Sequence, residues 1–141
     1  YDAYTAFFHG HTFTGNALAC AAALASLDLF TPALLASLPE KTAALAGALD
    51  TRVRPLAHVA EIRQRGLMIG IELRRDPARR ESYAPAERIG HRVILAARQR
   101  GVLLRPLGDV LVLMPPLSIT ADEIETLVAV AAEAITEITG A

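Results

Sequence analysis

The stretch VAEIRQRGLMIGIEL, from Val59 to Leu73, doubles back at Gly66 and decides how the rest of the chain is arranged. On either side of the glycine lie short apolar-rich runs, Val59 to Arg63 and Leu67 to Leu73, which predict two strands joined by a turn. A second pair follows downstream: Val102 to Leu104 and Val110 to Met114 flank the turn Pro106-Leu107-Gly108-Asp109, and Pro115-Pro116 ends the later strand. Between the pairs, the charged loop Arg74 to Tyr83 is expected to be solvated. A helix then starts near Pro85, presents Ile89, Val93, Ile94 and Ala97 on one face, and stops at Gly101. After the second pair, Thr120 with Glu123 three residues on forms a capping box. It opens a last helix with Ile124, Leu127, Val128, Ala131, Ile135 and Ile138 as its apolar stripe.

Upstream of Val59 the pattern is helical. Asn16 is a good N-cap for a helix to about Phe30, whose small residues, Ala17 and Ala19 to Ala23 with Cys20 among them, cover every face, so the helix is expected to be nearly enclosed. Thr31-Pro32 repeats the start signal. The second helix runs to about Thr51, kinked or restarted at Pro39, with Leu34, Leu35, Leu38, Leu45 and Leu49 as its stripe. The order helix, helix, strand, strand, helix, strand, strand, helix predicts an α+β fold, a layer of helices on a short, mostly antiparallel sheet.

Composition agrees with one folded unit. The chain has 141 residues, 14 basic against 15 acidic for a net charge of -1, and 52% hydrophobic against 21% charged residues. That balance excludes intrinsic disorder and lacks the positive field of a general nucleic-acid or anionic-membrane binder. The apolar run Ala17 to Leu38 contains Asp28 and is broken by Thr31-Pro32, so it reads as buried helix rather than membrane span. A single cysteine, Cys20, expected as a small core residue, leaves no internal disulfide and points to a reducing, cytoplasmic setting. The chain opens at Tyr1 with no initiator Met and no signal peptide, and is expected to be part of a longer protein.

Two places carry chemistry. His9 to Asn16 is the densest polar patch and lies just before a helix N-terminus, where free amides and the helix dipole favour an anion; Thr12 or Thr14 could hold a phosphate there, or the segment is simply a capped loop. Arg105, held extended by Pro106 between apolar runs, suits bidentate capture of a carboxylate; the alternative is an ion pair with Asp109 across the turn. His9 and His11 share a face at i, i+2 spacing, but no carboxylate or thiolate cluster accompanies them or His58 and His91, and no metal site is expected. Lys41, beside Glu40 on the exposed side of its helix, is a poor candidate for covalent catalysis.

The block from His9 to Leu24, HGHTFTGNALACAAAL, closely resembles the loop and helix of class III (subgroup II) aminotransferases, fold type I enzymes that use pyridoxal phosphate. Gly101 to Asp109, GVLLRPLGD, with Met114 to Leu117, MPPL, is similar to the C-terminal block of the branch that makes 7,8-diaminononanoate from 8-amino-7-oxononanoate in biotin biosynthesis. The likeness extends over essentially the whole chain. It implies a small C-terminal domain: residues 1–16 as the end of the large domain with the phosphate loop, 17–51 as connecting helices, and 52–141 as the small domain.

By the same resemblance Thr12 binds the cofactor phosphate and His11 adds a backbone contact, both reaching across a homodimer into the partner's site. Gly10 lines the substrate pocket and Arg105 grips the acceptor's carboxylate, with S-adenosylmethionine or lysine as amino donor. The lysine to which this family attaches its cofactor has no match here, which implies a fragment inactive by itself. Two other readings stay open: a class III relative acting on ω-amino acids, polyamines or a γ-aminobutyrate-like substrate, and a non-catalytic α+β dimerisation module.

Overall fold

The computed structural model describes Gly10 and residues 12–140. The chain divides into two compact units, Tyr1–Leu35 and Ala36–Ala141. In the first unit a turn over residues 12–15 leads into α1 (Ala17–Asp28), and α2 (Pro32–Arg52) begins. Asn16 caps α1 as its residue type predicts, its Oδ1 accepting from the amide of Ala19 at 2.9 Å. Thr31 does the same for α2, its Oγ1 accepting from the amide of Leu34 at 3.1 Å. Pro39 is absorbed inside α2, which neither stops nor restarts there.

The expected enclosure of α1 is not seen among the described residues. None of its residues is buried, Leu18 is 82% exposed, and Cys20 is an exposed free thiol rather than a core residue. Small side chains leave room for another element to approach, but they do not supply one.

The second unit holds the sheet. β1 (Val59–Arg65) and β2 (Met68–Leu73) form the hairpin at Gly66, whose φ of +59° meets the turn's need for a left-handed residue. β3 (Arg105–Leu107) and β4 (Val110–Leu113) complete it in the order β1-β2-β4-β3, every pair antiparallel. Period-two alternation sends Ile69, Ile71 and Leu73 of β2 and Leu111 and Leu113 of β4 to one face. There they meet Leu45, Leu49 and Val53 from the end of α2 and its exit, Val93 and Ala97 of α3 (Ile89–Gln99), and Ile124, Val128 and Ile135 of α4 (Ala121–Thr139) in one core. Each such aliphatic side chain taken fully out of water is worth ~1.5–3 kcal/mol.

Three expectations are corrected here. The first strand of the second pair is Arg105–Leu107, not Val102 to Leu104. Arg105 pairs with Val112, so the same register carried on would set Val102 opposite Pro115, which has no N–H to extend the ladder. Pro106 is tolerated inside β3 because β3 is an edge strand. Next, the charged loop ends on a buried residue: Tyr83 is 8% exposed, against His58 at 6.0 Å between ring centroids and under the guanidinium of Arg75. Finally, the helix expected from Pro85 is split into a 3-10 turn, Pro85–Glu87, and α3, with Arg88 between them at φ +49°.

Among the described residues no single helix is long and apolar enough to cross a membrane; only α1 and α2 taken together reach that length and apolarity.

Candidate functional site

Arg105 stands at the start of β3, exposed on the sheet edge. It forms no ion pair among the described residues, and the alternative drawn from the sequence, a bridge to Asp109, is not made. The Asp109 carboxylate turns instead to α3, where its Oδ1 accepts from the amide of Gly90 at 3.1 Å. Arg105 lines a concavity of about 450 Å³ together with Leu103, Leu104, Leu107, Val112 and Met114. Leu103 and Met114 are 76% and 72% exposed. Among the described residues lining it Arg105 is the one that carries charge, and a cation on an apolar strip suits a ligand with an aliphatic stem and a terminal carboxylate. A neighbouring concavity of about 470 Å³ shares Leu103, Leu104, Val112 and Met114 and extends the apolar surface to Leu127.

The polar loop lies in the other unit. Thr12 is exposed in the turn, Gly15 takes φ +78°, and the amide of Asn16 donates to the oxygen of Phe13 at 3.2 Å to close it. Asn16 satisfies the amide of Ala19, and no acidic side chain occupies the first turn of α1. A hydroxyl beside a helix N-terminus with no acidic side chain in its first turn matches the donor set a phosphate needs. Gly10 is exposed, with nothing within 4 Å of where a Cβ would stand. His11 and His9 lie outside the described residues.

The remaining candidates carry no shared chemistry. His58 places Nδ1 3.1 Å from the oxygen of Arg74, and His91 lines a separate concavity with Tyr83, Arg88 and Asp109. Among the described residues no group of three or more histidines, cysteines or carboxylates could hold a metal ion. Lys41 is half-buried, not solvent-facing as its neighbour Glu40 suggested, and donates to the oxygen of Leu117 at 2.7 Å. Sequence reasoning missed the contact of Gly90 with Asp109 altogether. Its only trace was a glycine in the first turn of a helix, which local patterning cannot connect to a turn 19 residues later.

The family model for class-III aminotransferases matches residues 1–135. The chain belongs to that family. Its similarity to individual class-III aminotransferases is strong but partial in extent. It is 56% identical over 139 residues to the adenosylmethionine-8-amino-7-oxononanoate aminotransferase of Nitratidesulfovibrio vulgaris, covering 99% of this chain and 26% of that protein. It is 33% identical over 136 residues to a diaminobutyrate–2-oxoglutarate transaminase of Halomonas elongata, covering 94% of this chain and 29% of that one. Among solved structures, the adenosylmethionine-8-amino-7-oxononanoate aminotransferase of Methanocaldococcus jannaschii superposes with a TM-score of 0.83 at 38% identity, over 97% of this chain and 31% of that one. The α+β layer expected from the sequence is therefore a portion of a class-III aminotransferase fold, and the chain spans between a quarter and a third of the length of these relatives.

Proposed function

We propose that the chain is the C-terminal portion of a pyridoxal-phosphate-dependent aminotransferase that converts 8-amino-7-oxononanoate to 7,8-diaminononanoate in biotin biosynthesis. The observation that carries this reading is Arg105: without an ion-pair partner among the described residues, it is the one charged residue lining a concavity otherwise formed by apolar side chains. The acceptor has the matching form, a carboxylate at the end of an alkyl chain. The name of the 56% identical relative supports the same substrate.

In this reading residues 1–16 end the large domain, 17–51 connect, and 52–141 form the small domain. Thr12 holds the cofactor phosphate through its hydroxyl, with His11 contributing a backbone contact, and both act on the neighbouring subunit's site in a homodimer. Gly10, with open space where a side chain would stand, leaves room for substrate. Pyridoxal phosphate supplies the electron sink through which an amino group is exchanged. This chain's own residues bind and orient: Thr12 anchors, and Arg105 fixes the far end of the acceptor, where a displacement of ~1 Å costs ~100-fold in rate. The amino donor is S-adenosylmethionine, as the relatives' names suggest, or lysine. An exposed free thiol at Cys20 suits a cytoplasmic enzyme. In this reading the chain by itself does not transaminate, because the lysine to which the family attaches its cofactor has no match in it.

The Halomonas relative favours a second reading, a class-III enzyme with another amino acceptor, in which Arg105 is dispensable. The two separate on the full-length enzyme. Arg105→Ala should depress the half-reaction with the keto acid by ~100-fold or more while leaving the cofactor spectrum intact. Arg105→Lys should recover part of it, since an ammonium lacks the planar fork. The methyl ester of the acceptor, having lost its charge, should react equally poorly with both. A full rate for the free acid in Arg105→Ala would remove the substrate assignment.

A further inference from the structure

The turn after Arg105 is tied from two sides. Gly108 takes φ +59°, and the main-chain oxygen of Asp109 accepts from the amide of Leu73 at 2.9 Å, fixing the turn to the end of β2. The Asp109 side chain reaches the opposite way, to the amide of Gly90 in the first turn of α3. Arg88, at the N-cap position of that helix, offers no side-chain cap, so Asp109 satisfies an amide that α3 leaves open. The approach is close enough that Gly90 has to be glycine. A Cβ there would stand 2.1 Å from the oxygen of Gly108 and 3.2 Å from the Cα of Asp109, both main-chain atoms that could clear it only if the turn itself moved.

β3 is three residues long, hydrogen-bonded on one side only, and begins with Arg105. Its placement therefore depends on the turn that follows it.

Resting on the reading of Arg105 as the acceptor's carboxylate clamp, we propose that Asp109 and Gly90 form a latch that positions Arg105, so that the N-terminus of α3 sets where the substrate's far end is held. In this arrangement Asp109 is a positioning residue, its carboxylate engaged by the amide of Gly90, and it acts through the strand. A residue of that kind affects the substrate that Arg105 holds and leaves the amino donor alone.

The test is single-turnover kinetics of both half-reactions on the full-length, cofactor-loaded enzyme. Asp109→Ala should lower kcat/KM for the keto acid on the order of tenfold, chiefly through KM, with the amino-donor half-reaction changed less than about twofold. Asp109→Asn, which keeps an oxygen acceptor opposite Gly90, should restore most of the loss. Gly90→Ala, which must push the turn away from the helix, should repeat the selective defect. In an Arg105→Ala background Asp109→Ala should add nothing further, because the two act as one unit.

If Asp109→Ala does not fold, Asp109→Ser carries the same comparison. An Asp109 defect that falls equally on both half-reactions, or keeps its full size without Arg105, would overturn the latch and leave Asp109 as a structural cap. Undiminished acceptor kinetics in Arg105→Ala alone would instead overturn the substrate reading on which the latch rests.

Discussion

Lys41 Nζ and the main-chain oxygen of Leu117 lie 2.7 Å apart, a charged hydrogen bond between α2 and the connector from β4 to α4. Leu117 follows Pro115-Pro116, whose nitrogens cannot donate, and precedes the capping box of α4, in which Thr120 and Glu123 bond each other reciprocally. Lys41 thus ties down a segment that has few amides to tie itself.

Because its ammonium is engaged, Lys41 should be slow toward aldehydes. Treating this 141-residue chain with pyridoxal phosphate and borohydride should label the amino terminus and leave Lys41 little modified, as read by peptide mass spectrometry. A stoichiometric adduct at Lys41 would contradict the engagement. Lys41→Ala should lower stability by about 1 kcal/mol in denaturant unfolding, in the range for a partly exposed hydrogen bond.

Acid should unfold the chain through particular carboxylates. The Glu72 carboxyl is held below its usual 4.5 by hydrogen bonds first from Arg63 and then from Arg74. Glu87 is lowered by the amide of Ala84 and then by Arg75, and Glu123 by the amide and then the hydroxyl of Thr120. A group whose folded pKa is depressed contributes stability that is complete above its unfolded pKa and is lost as pH falls through the folded value. The denaturant midpoint should therefore be flat above about pH 5 and fall progressively below pH 4.5, and Glu72→Gln should shallow that fall. An equal slope in Glu72→Gln would assign the acid lability elsewhere.

The hydroxyl of Tyr83 is buried without a hydrogen-bond partner among the described residues, and burial pushes its pKa up, with Arg75 opposing. Removing an unsatisfied buried hydroxyl relieves its desolvation cost. Tyr83→Phe should leave the chain as stable or raise its stability by about 1 kcal/mol; a loss of that size would mean the hydroxyl has a partner in solution.

In the full-length enzyme, Thr12→Ala should weaken cofactor retention roughly 10- to 150-fold, the equivalent of ~1.5–3 kcal/mol for one hydrogen bond to a charged phosphate. Mixing Thr12→Ala subunits with subunits lacking the catalytic lysine should restore activity at one site per heterodimer. No recovery in the mixture would place Thr12 in its own subunit's site.

Much of this was open to a reader of the chain alone, wherever partners lie within a few residues of one another. Asn16, Thr31 and Thr120 cap their helices through groups three residues on, Gly66 turns a hairpin whose strands alternate, and the stripe from Ile124 to Ile135 fills one side of α4. The polar loop at Thr12 and the apolar flanks of Arg105 were legible for the same reason, whereas the absence of a bridge from Arg105 to Asp109 was not. What the chain could not announce is how its distant parts meet. Tyr83 is buried where His58 and Arg75 come against it, no residue of α1 is buried among the described residues, and the pairing with β4 runs from Arg105 to Leu107. Asp109 was free to choose between a guanidinium four residues away and an amide 19 residues away. Folding carried it to Gly90, since a solvated ion pair is worth little beside a helix amide that has lost its water and has no other acceptor.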